Sequence, residues 1–377
     1  FSEPGVFVTF EENVNDLIRN VKNFKWDIKG YISNDMWRFV NATVEEYEQP
    51  KIVGNFDLKA LMVRVESKVD EIGAKRIVLD SIGSLFQYFQ DPALIRKEIY
   101  ALLTFLKKKN LIIMFTSERL EEYGLVSRFG VEEYLADNVL ILRNVLMAEK
   151  RNRSIEILKY RGSAHSKGEQ SFVIDPKSGI IIIPLTRLEM KQNSSNTRVS
   201  SGNVRLDKMC GGGFFRDSIV LVSGATGTGK TLLVTEFIKG GYKNKEKVLF
   251  LAYEESYEQL IRNAKGWGTD FKKMVDEKKL HIEAVYPETA SLDEHLLHIQ
   301  RLILEHKPDR VALDSLSAIE RGSSKKNFRE FLIAFTSFLK KNEICALFTS
   351  TSTTIIGGSS VTDSHISTIT DSIILLR

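Results

Sequence analysis

The chain is almost without cysteine. Cys210 and Cys345 are the only two thiols in 377 residues, 135 positions apart, which is neither a disulfide framework nor a metal-ligand spacing. A reducing, cytoplasmic setting is therefore expected. Charge of one sign is also scarce: 53 Lys and Arg face 49 Asp and Glu, a net +4. Short basic runs such as Lys107–Lys109 and Lys325–Lys326 are interleaved with acids. They read as solvated helix faces and not as a nucleic-acid track, so no nucleic-acid partner is expected. No apolar run approaches the roughly 20 residues of a membrane span, and no signal peptide is visible, so no membrane role is expected. An initiator methionine is missing as well. The chain starts at Phe1 and stops at Arg377 on an apolar, strand-like run; both ends read as cuts through a longer protein. What remains is an ordinary globular composition, 43% hydrophobic and 27% charged, long enough for two or three domains.

One stretch is far from ordinary. Ile219 to Val222 is a β-branched and aliphatic run that reads as a buried parallel strand, and Thr231 to Lys239 has helical spacing. Between them, Gly224-Ala-Thr-Gly-Thr-Gly-Lys-Thr231 matches G-x-x-x-x-G-K-[ST] in the strand–loop–helix context the motif requires. The glycines let successive backbone N–H groups turn toward one phosphate at the positive end of a helix. Lys230 supplies a mobile charge for the β- and γ-phosphates, and Thr231 a hydroxyl for Mg²⁺. This is a nucleotide-phosphate site.

The chain also repeats itself. Phe7-Val-Thr-Phe-Glu-Glu-Asn-Val-Asn-Asp-Leu-Ile-Arg-Asn20 resembles Phe250-Leu-Ala-Tyr-Glu-Glu-Ser-Tyr-Glu-Gln-Leu-Ile-Arg-Asn263 at an offset of 243. Arg76-Ile-Val-Leu-Asp-Ser81 resembles Arg310-Val-Ala-Leu-Asp-Ser315, and Phe115-Thr-Ser117 resembles Phe348-Thr-Ser350. Duplication is the simplest account. The first copy begins too late to hold a P-loop, whereas the second stops before the strand-like stretch that follows Arg143 in the first. Strand-like runs (Val6–Phe10, Ile77–Asp80, Ile112–Thr116, Val248–Ala252, Val311–Asp314, Cys345–Thr349) alternate with helical ones (Asn13–Phe24, Asp57–Glu71, Ala93–Lys109, Leu292–Glu305, Asn327–Lys341). The fold class expected is α/β with mostly parallel sheets. Ile155–Tyr160 and Phe172–Pro184 read as an antiparallel finish to the first copy, and the polar Gln192–Thr197 as part of a linker.

Four groups carry chemistry. Asp314 ends an apolar strand as a Walker-B aspartate should, beside Thr231 and Mg²⁺; Asp80 is its twin. Glu254 and Glu255 stand at the strand edge where open parallel sheets bind ligands, and a carboxylate there can take a proton from an attacking hydroxyl or water. An acid pair ahead of a helix could equally serve the helix dipole, but recurrence as Glu11 and Glu12 favours function. Lys159-Tyr-Arg-Gly-Ser-Ala-His165 puts two cations on one face of a predicted strand, either solvated or reaching a neighbouring subunit's phosphate as arginine fingers do. Thr362-Asp-Ser-His-Ile-Ser-Thr368 is a hydroxyl cluster whose Ser367 and Thr368 fall opposite Glu132 and Glu133 of the first copy. Hydroxyls where the sibling has carboxylates point to phosphorylation; a helix-capping run is the other reading.

Glu118-Arg-Leu-Glu-Glu-Tyr-Gly124, Lys208-Met-Cys-Gly-Gly-Gly-Phe-Phe215, the P-loop and Thr362–Thr368 together closely resemble the KaiC family of circadian clock kinases, in the RecA-like ATPase superfamily. The resemblance covers nearly the whole chain. It implies two tandem RecA-like P-loop domains, each a mostly parallel sheet flanked by helices. Residues 1–185 would form the first, lacking its P-loop, 186–197 a linker, and 198–377 the second, lacking its C-terminal hairpins and tail. It also implies a double-ring homohexamer with ATP between subunits, KaiA and KaiB as partners, and autokinase, autophosphatase and ATPase activities. By resemblance, Thr226, Gly227, Thr228, Gly229, Lys230, Thr231 and Leu232 bind ATP, with Trp267 also touching nucleotide. Mg²⁺ would lie near Thr231 and Glu254. Glu254 would be the base for the acceptor hydroxyl, and Ser367, Thr368 and Thr362 phosphorylation sites. In the first domain Glu12 would activate water, while Asn23 (where the family's pattern has serine), Lys159, Tyr160, Arg161, Ser163 and His165 would contact ATP. Two rival readings are a RecA-like ATPase acting on single-stranded DNA, and a KaiC-like signalling ATPase without a clock role. The first calls for a basic, glycine-rich loop after a Walker-B strand, which Glu320–Lys326 matches only in part.

Overall fold

A computed structural model describes residues 3–42, 58–86, 91–147, 150–183, 194–351 and 368–377. The chain divides into two compact units, Phe1–Val145 with Arg153–Ile182, and Leu146–Asn152 with Ile183–Arg377.

In the first unit, strands β1 (Gly5–Thr9), β2 (Trp37–Asn41), β3 (Arg76–Asp80) and β4 (Ile112–Phe115) form a parallel sheet in the order β2-β1-β3-β4. Helices Leu58–Ile72 and Pro92–Lys108 lie on it. Their apolar positions recur three and four residues apart: Leu58, Leu61, Val65 and Val69 on one, Ile95, Ile99, Leu102 and Leu106 on the other. These side chains join Val8, Ile77 and Leu79 in one core. β4 is an edge, and its Ile112 and Met114 are 61% and 58% exposed. A second, four-stranded sheet follows: β5 (Asn138–Met147), β6 (Lys150–Tyr160), β7 (Glu169–Asp175) and β8 (Gly179–Ile182). Its β6–β7 and β7–β8 pairs are antiparallel, as the finish read from sequence requires.

The second unit opens with the short antiparallel pair β9 (Arg198–Val199) and β10 (Phe214–Phe215). Strands β11 (Ile219–Gly224), β12 (Val248–Ala252), β13 (Leu280–Ala284), β14 (Arg310–Asp314), β15 (Cys345–Thr351) and β16 (Ser372–Leu376) then build one sheet, ordered β13-β12-β14-β15-β11-β16. Every pair in it is parallel. β11, β12 and β14 are buried along their whole length, because helices cover both faces of a parallel sheet. Burying a Val, Leu or Phe side chain stabilises by about 1.5–3 kcal/mol, so Phe237, Phe250 and Leu347 hold this sheet. The helix after the P-loop, Lys230–Lys243, runs four residues beyond the end expected from sequence. Helix Tyr257–Gly266 starts at a capping box, in which Ser256 and Gln259 satisfy each other's backbone N–H groups.

β2 and β13 were not expected. Each pairs on one side only, at the sheet edge. Arg38, Asn41, His281 and Glu283 interrupt their apolar character, so neither shows the continuous run of a buried strand.

Candidate nucleotide site

In the second unit the chemistry gathers at the C-terminal ends of the parallel strands. β11 ends in Gly224 and runs into the loop, where Gly227 (φ +83°) and Gly229 (φ +94°) take the left-handed conformation that any side chain would oppose. Gly229 is also the N-cap of Lys230–Lys243, so the loop opens onto the positive end of a 14-residue helix. The Lys230 ammonium donates to its own loop's carbonyls, Gly224 O and Ala225 O, both at 2.9 Å. It is thus parked on the cradle it would have to leave to reach a phosphate. In the same loop the Thr228 hydroxyl donates to Ala225 O at 2.8 Å, while Thr226 and, in the first turn of the helix, Leu232 are exposed.

Asp314 closes β14 and faces the loop. Its Oδ2 accepts from Thr231 Oγ1 at 2.7 Å, and its Oδ1 accepts from Thr349 Oγ1 at the crest of β15. Burial pushes the Asp314 carboxyl above the ordinary aspartate range; the Thr349 and Thr231 hydroxyls pull it down, Glu254 pushes it up and Lys230 lowers it. Glu254 therefore sits within electrostatic reach of Asp314. Its Oε1 accepts from Arg321 Nη2 at 3.2 Å. Glu255 points elsewhere: Asn263 Nδ2, on helix Tyr257–Gly266, donates to its Oε2 at 3.0 Å. The two acids thus separate into one beside the P-loop and one held by its helix. Trp267 caps that helix at its far end, partly exposed.

The donors around Asp314 are hard oxygens, the chemistry that suits Mg²⁺. Among the described residues no cluster of three or more His, Cys, Asp or Glu could hold a metal by itself. A cation here would rely on Thr231, Asp314, water and the phosphates, as P-loop sites do.

The first unit repeats the frame. Asp80 Oδ1 accepts from Thr116 Oγ1 at 2.5 Å, and Glu12 Oε2 accepts from Asn20 Nδ2 at 3.2 Å, matching Asp314–Thr349 and Glu255–Asn263. Both Asp–Ser peptide bonds, Asp80–Ser81 and Asp314–Ser315, are cis. Glu11 is engaged by the hydroxyls of Ser81 and Ser84. Glu132 is buried and accepts from Ser117 Oγ (2.9 Å), Ser127 Oγ (2.7 Å) and Val131 N (3.1 Å), while Glu133 accepts from Ser127.

The Lys159–His165 segment differs from expectation. β6 ends at Tyr160, so Arg161 lies in the following turn and does not share a strand face with Lys159. Lys159 Nζ donates to Glu133 O and Ala136 O, at 3.1 and 2.7 Å, and Arg161 pairs with Asp137 at 3.1 Å. Tyr160 and Ser163 are exposed and His165 is half-buried. Asn23 sits in the exposed 3-10 turn Lys22–Phe24. Thr362 and Ser367 lie outside the described residues; Thr368 is exposed at the start of the final segment.

Two helpers escaped the sequence reading. Thr349 and Asn263 hold the acids in place, and both stood inside the repeated segments, so pairing the repeats polar residue by polar residue would have found them.

The family profile described as "ATPase: KaiC" matches residues 1–187 and again 199–377. The chain belongs to the KaiC ATPase family. It is 55% identical to the circadian clock protein KaiC3 of Synechocystis sp. over 375 residues, covering the whole chain and 74% of that relative. It is 49% identical to the circadian clock oscillator protein KaiC of Synechococcus elongatus over 377 residues, 72% of that protein. A Prochlorococcus marinus KaiC is 48% identical over the same span, 75% of its length. Membership of this ATPase family implies ATP binding, which the glycine cradle is built for. No helix among the described residues is long and apolar enough to cross a membrane.

Proposed function

We propose that the second unit, within a KaiC-type homohexamer, transfers the γ-phosphate of ATP to hydroxyls of the same protein, Ser367 and Thr368, with Thr362 an auxiliary acceptor. The reverse removal of phosphate and slow ATP hydrolysis belong to the same site. The observation that carries this reading is the Thr231–Asp314 hydrogen bond at the P-loop, with Glu254 near enough to raise the Asp314 carboxyl. In this reading Lys230 leaves the carbonyls of Gly224 and Ala225 for the β- and γ-phosphates. The Gly227 and Gly229 N–H groups take charge on the phosphate oxygens. Mg²⁺, when bound near Thr231, Asp314 and Glu254, neutralises charge on the phosphates. Glu254 takes the proton of the attacking hydroxyl, which requires its separation from Arg321.

The first unit, whose Glu12 is held by Asn20 as Glu255 is by Asn263 and whose Glu11 meets the Ser81 and Ser84 hydroxyls, is proposed as the ATPase half of a longer chain. There Asn23, Lys159, Tyr160, Arg161, Ser163 and His165 would meet nucleotide once Lys159 and Arg161 exchange their present partners. Residues 1–185 and 198–377 are proposed as the two domains, with KaiA and KaiB as partners and the cytoplasm as location.

Phosphopeptide mapping after incubation with Mg-ATP tests the kinase reading. Phosphate on Ser367 and Thr368 that disappears in Glu254→Gln is the expected outcome. Unmodified peptides at those positions under conditions where ATP is hydrolysed would sink the kinase part and leave an ATPase.

A further inference from the structure

The two acid pairs allow a comparison inside one chain. Thr9 stands opposite Asp80 in the first sheet, and Ala252 opposite Asp314 in the second. One residue on, Phe10 N donates to Asp80 O at 3.0 Å and Tyr253 N to Asp314 O at 2.8 Å. The backbone therefore presents Glu11 to Ser81 and Glu254 to Ser315 in the same register. In the first unit the contact is made: the Ser81 hydroxyl donates to Glu11 Oε1 at 2.9 Å, and the Ser84 hydroxyl donates there too. In the second unit Glu254 Oε1 accepts from Arg321 Nη2 at 3.2 Å instead, and the Ser315 hydroxyl has no hydrogen-bond partner.

That hydroxyl is out of the ordinary. Ser315 is 0% exposed. It precedes helix Leu316–Arg321, where a serine usually caps, yet its side chain makes no capping bond. Leaving a buried donor unpaired is costly, whereas the Arg321–Glu254 pair, 66% and 40% exposed, is of the weak, solvent-screened kind. The repeats also differ in sequence where this choice is made. Aligned on their shared Leu-Asp-Ser, Ser84 corresponds to Ala318 and Gln87 to Arg321. The second unit lacks one of the two hydroxyls that hold Glu11 and carries a competing cation.

We propose that Ser315 is the positioning residue for Glu254, whose carboxylate idles on Arg321 and acts from the Ser315 hydroxyl. This rests on the reading of Glu254 as the base and adds where the base stands when it works. Ser315 lies at the buried end of helix Leu316–Arg321, next to Asp314, and Arg321 at the exposed end. Exchanging one for the other draws the carboxylate inward, beside Asp314. With one oxygen accepting from Ser315, the other is free for the proton of the attacking hydroxyl. In the first unit two hydroxyls fix the acid at the serine; in the second a single hydroxyl competes with an arginine, so the base can be withheld.

The test uses the full 377-residue chain with Ser315→Ala, Arg321→Gln and the two together. Release or transfer of the γ-phosphate at saturating Mg-ATP should fall about tenfold or more in Ser315→Ala, while affinity for a non-hydrolysable ATP analogue stays within about twofold. Arg321→Gln should be faster than the native chain by up to about fivefold. The double replacement should be as slow as Ser315→Ala, because release from Arg321 gains nothing without the serine. Hydrogen exchange across β14 and helix Leu316–Arg321 reads the contact without turnover. In the native background Ser315→Ala should leave protection within about twofold, since the hydroxyl removed there is unpaired. In the Arg321→Gln background, where Glu254 has no competing partner, it should lower protection about fivefold. An equal effect of Ser315→Ala in both backgrounds would overturn the proposal, as would native phosphate rates in Ser315→Ala. If Glu254→Gln turns over ATP at the native rate, or the native chain turns over none, Glu254 as base fails instead, and the exchange cycle alone decides whether Ser315 holds it.

Discussion

Arg310 and Arg76 occupy equivalent places in the two repeats, yet the structure assigns them very different energies. Arg310 is 0% exposed. Its Nε donates to Glu246 Oε2 at 2.5 Å and its Nη1 to Ser200 O at 2.5 Å, and its guanidinium lies 4.9 Å from the centre of the Phe237 ring. Replacing it with alanine strands Glu246, 13% exposed, and the Ser200 carbonyl. Breaking a buried pair from one side costs about 3–5 kcal/mol. Glu246 keeps a distant contact with Arg216, 3.8 Å away, so we expect the lower end, about 3 kcal/mol. Arg76, 39% exposed, pairs with Glu3, 43% exposed, at 2.7 Å; Arg76→Ala should cost about 0–1 kcal/mol. Hydrogen exchange read by mass spectrometry separates the two units. Arg310→Ala should lower protection across β12 and β14 about a hundredfold or more, while Arg76→Ala should leave β1 and β3 within about fivefold. The double replacement Arg310→Met with Glu246→Leu should recover most of the loss, because it leaves no uncompensated charge. If Arg310→Ala costs no more than Arg76→Ala, or the double replacement recovers nothing, the reasoning from burial fails.

Lys230→Met should reduce affinity for a fluorescent ATP analogue by at least about tenfold, with the fold intact by circular dichroism; unchanged affinity would remove Lys230 from the phosphate site. Of the two thiols, Cys345 is buried and pushed up to about 12 by that burial, whereas Cys210 is partly exposed. One equivalent of iodoacetamide should therefore enter the native chain, at Cys210, and the second only on unfolding, as peptide mapping would show. Burial alone would raise the Asp207 carboxyl, but Ser200 and Ser201 hydroxyls and the Ser201 N–H bring it below the model-peptide value of 3.8. Its stabilisation is complete above that value and fades as pH falls through the depressed one. The melting-temperature gap between the native chain and Asp207→Asn should accordingly be constant above about pH 5 and shrink below 3.8; a gap that widens in acid contradicts the assignment.

Strands buried on both faces were readable to within a residue or two: β11, β12, β14 and β15 are continuous apolar runs because nothing in them meets water. The apolar edges β4 and β16 were readable as well, but the edges β2 and β13 were not, since Arg38 and Asn41, or His281 and Glu283, break their apolar runs. Spatial order was invisible too. Nothing local says that β11 lies between β15 and β16, because that neighbourhood is set by crossovers of more than a hundred residues. At the site, the P-loop, Asp314 and the acid pair were legible from type and spacing. The division of labour between Glu254 and Glu255 was not. It depends on which neighbour each carboxylate finds, Arg321 from one helix and Asn263 from another, and those distances exist only after folding. Lys159 shows the reverse: its spacing promised a free cation, and folding gave the ammonium to two carbonyls.

The bare flank of β4 is explained by its twin. β15, which carries the matching Phe-Thr-Ser segment, has β14 on one side and the P-loop strand β11 on the other. Among the described residues β4 has only the first of these neighbours, β3. Ile112 and Met114 therefore stand in water at a position that the second sheet covers with the strand leading into its phosphate loop.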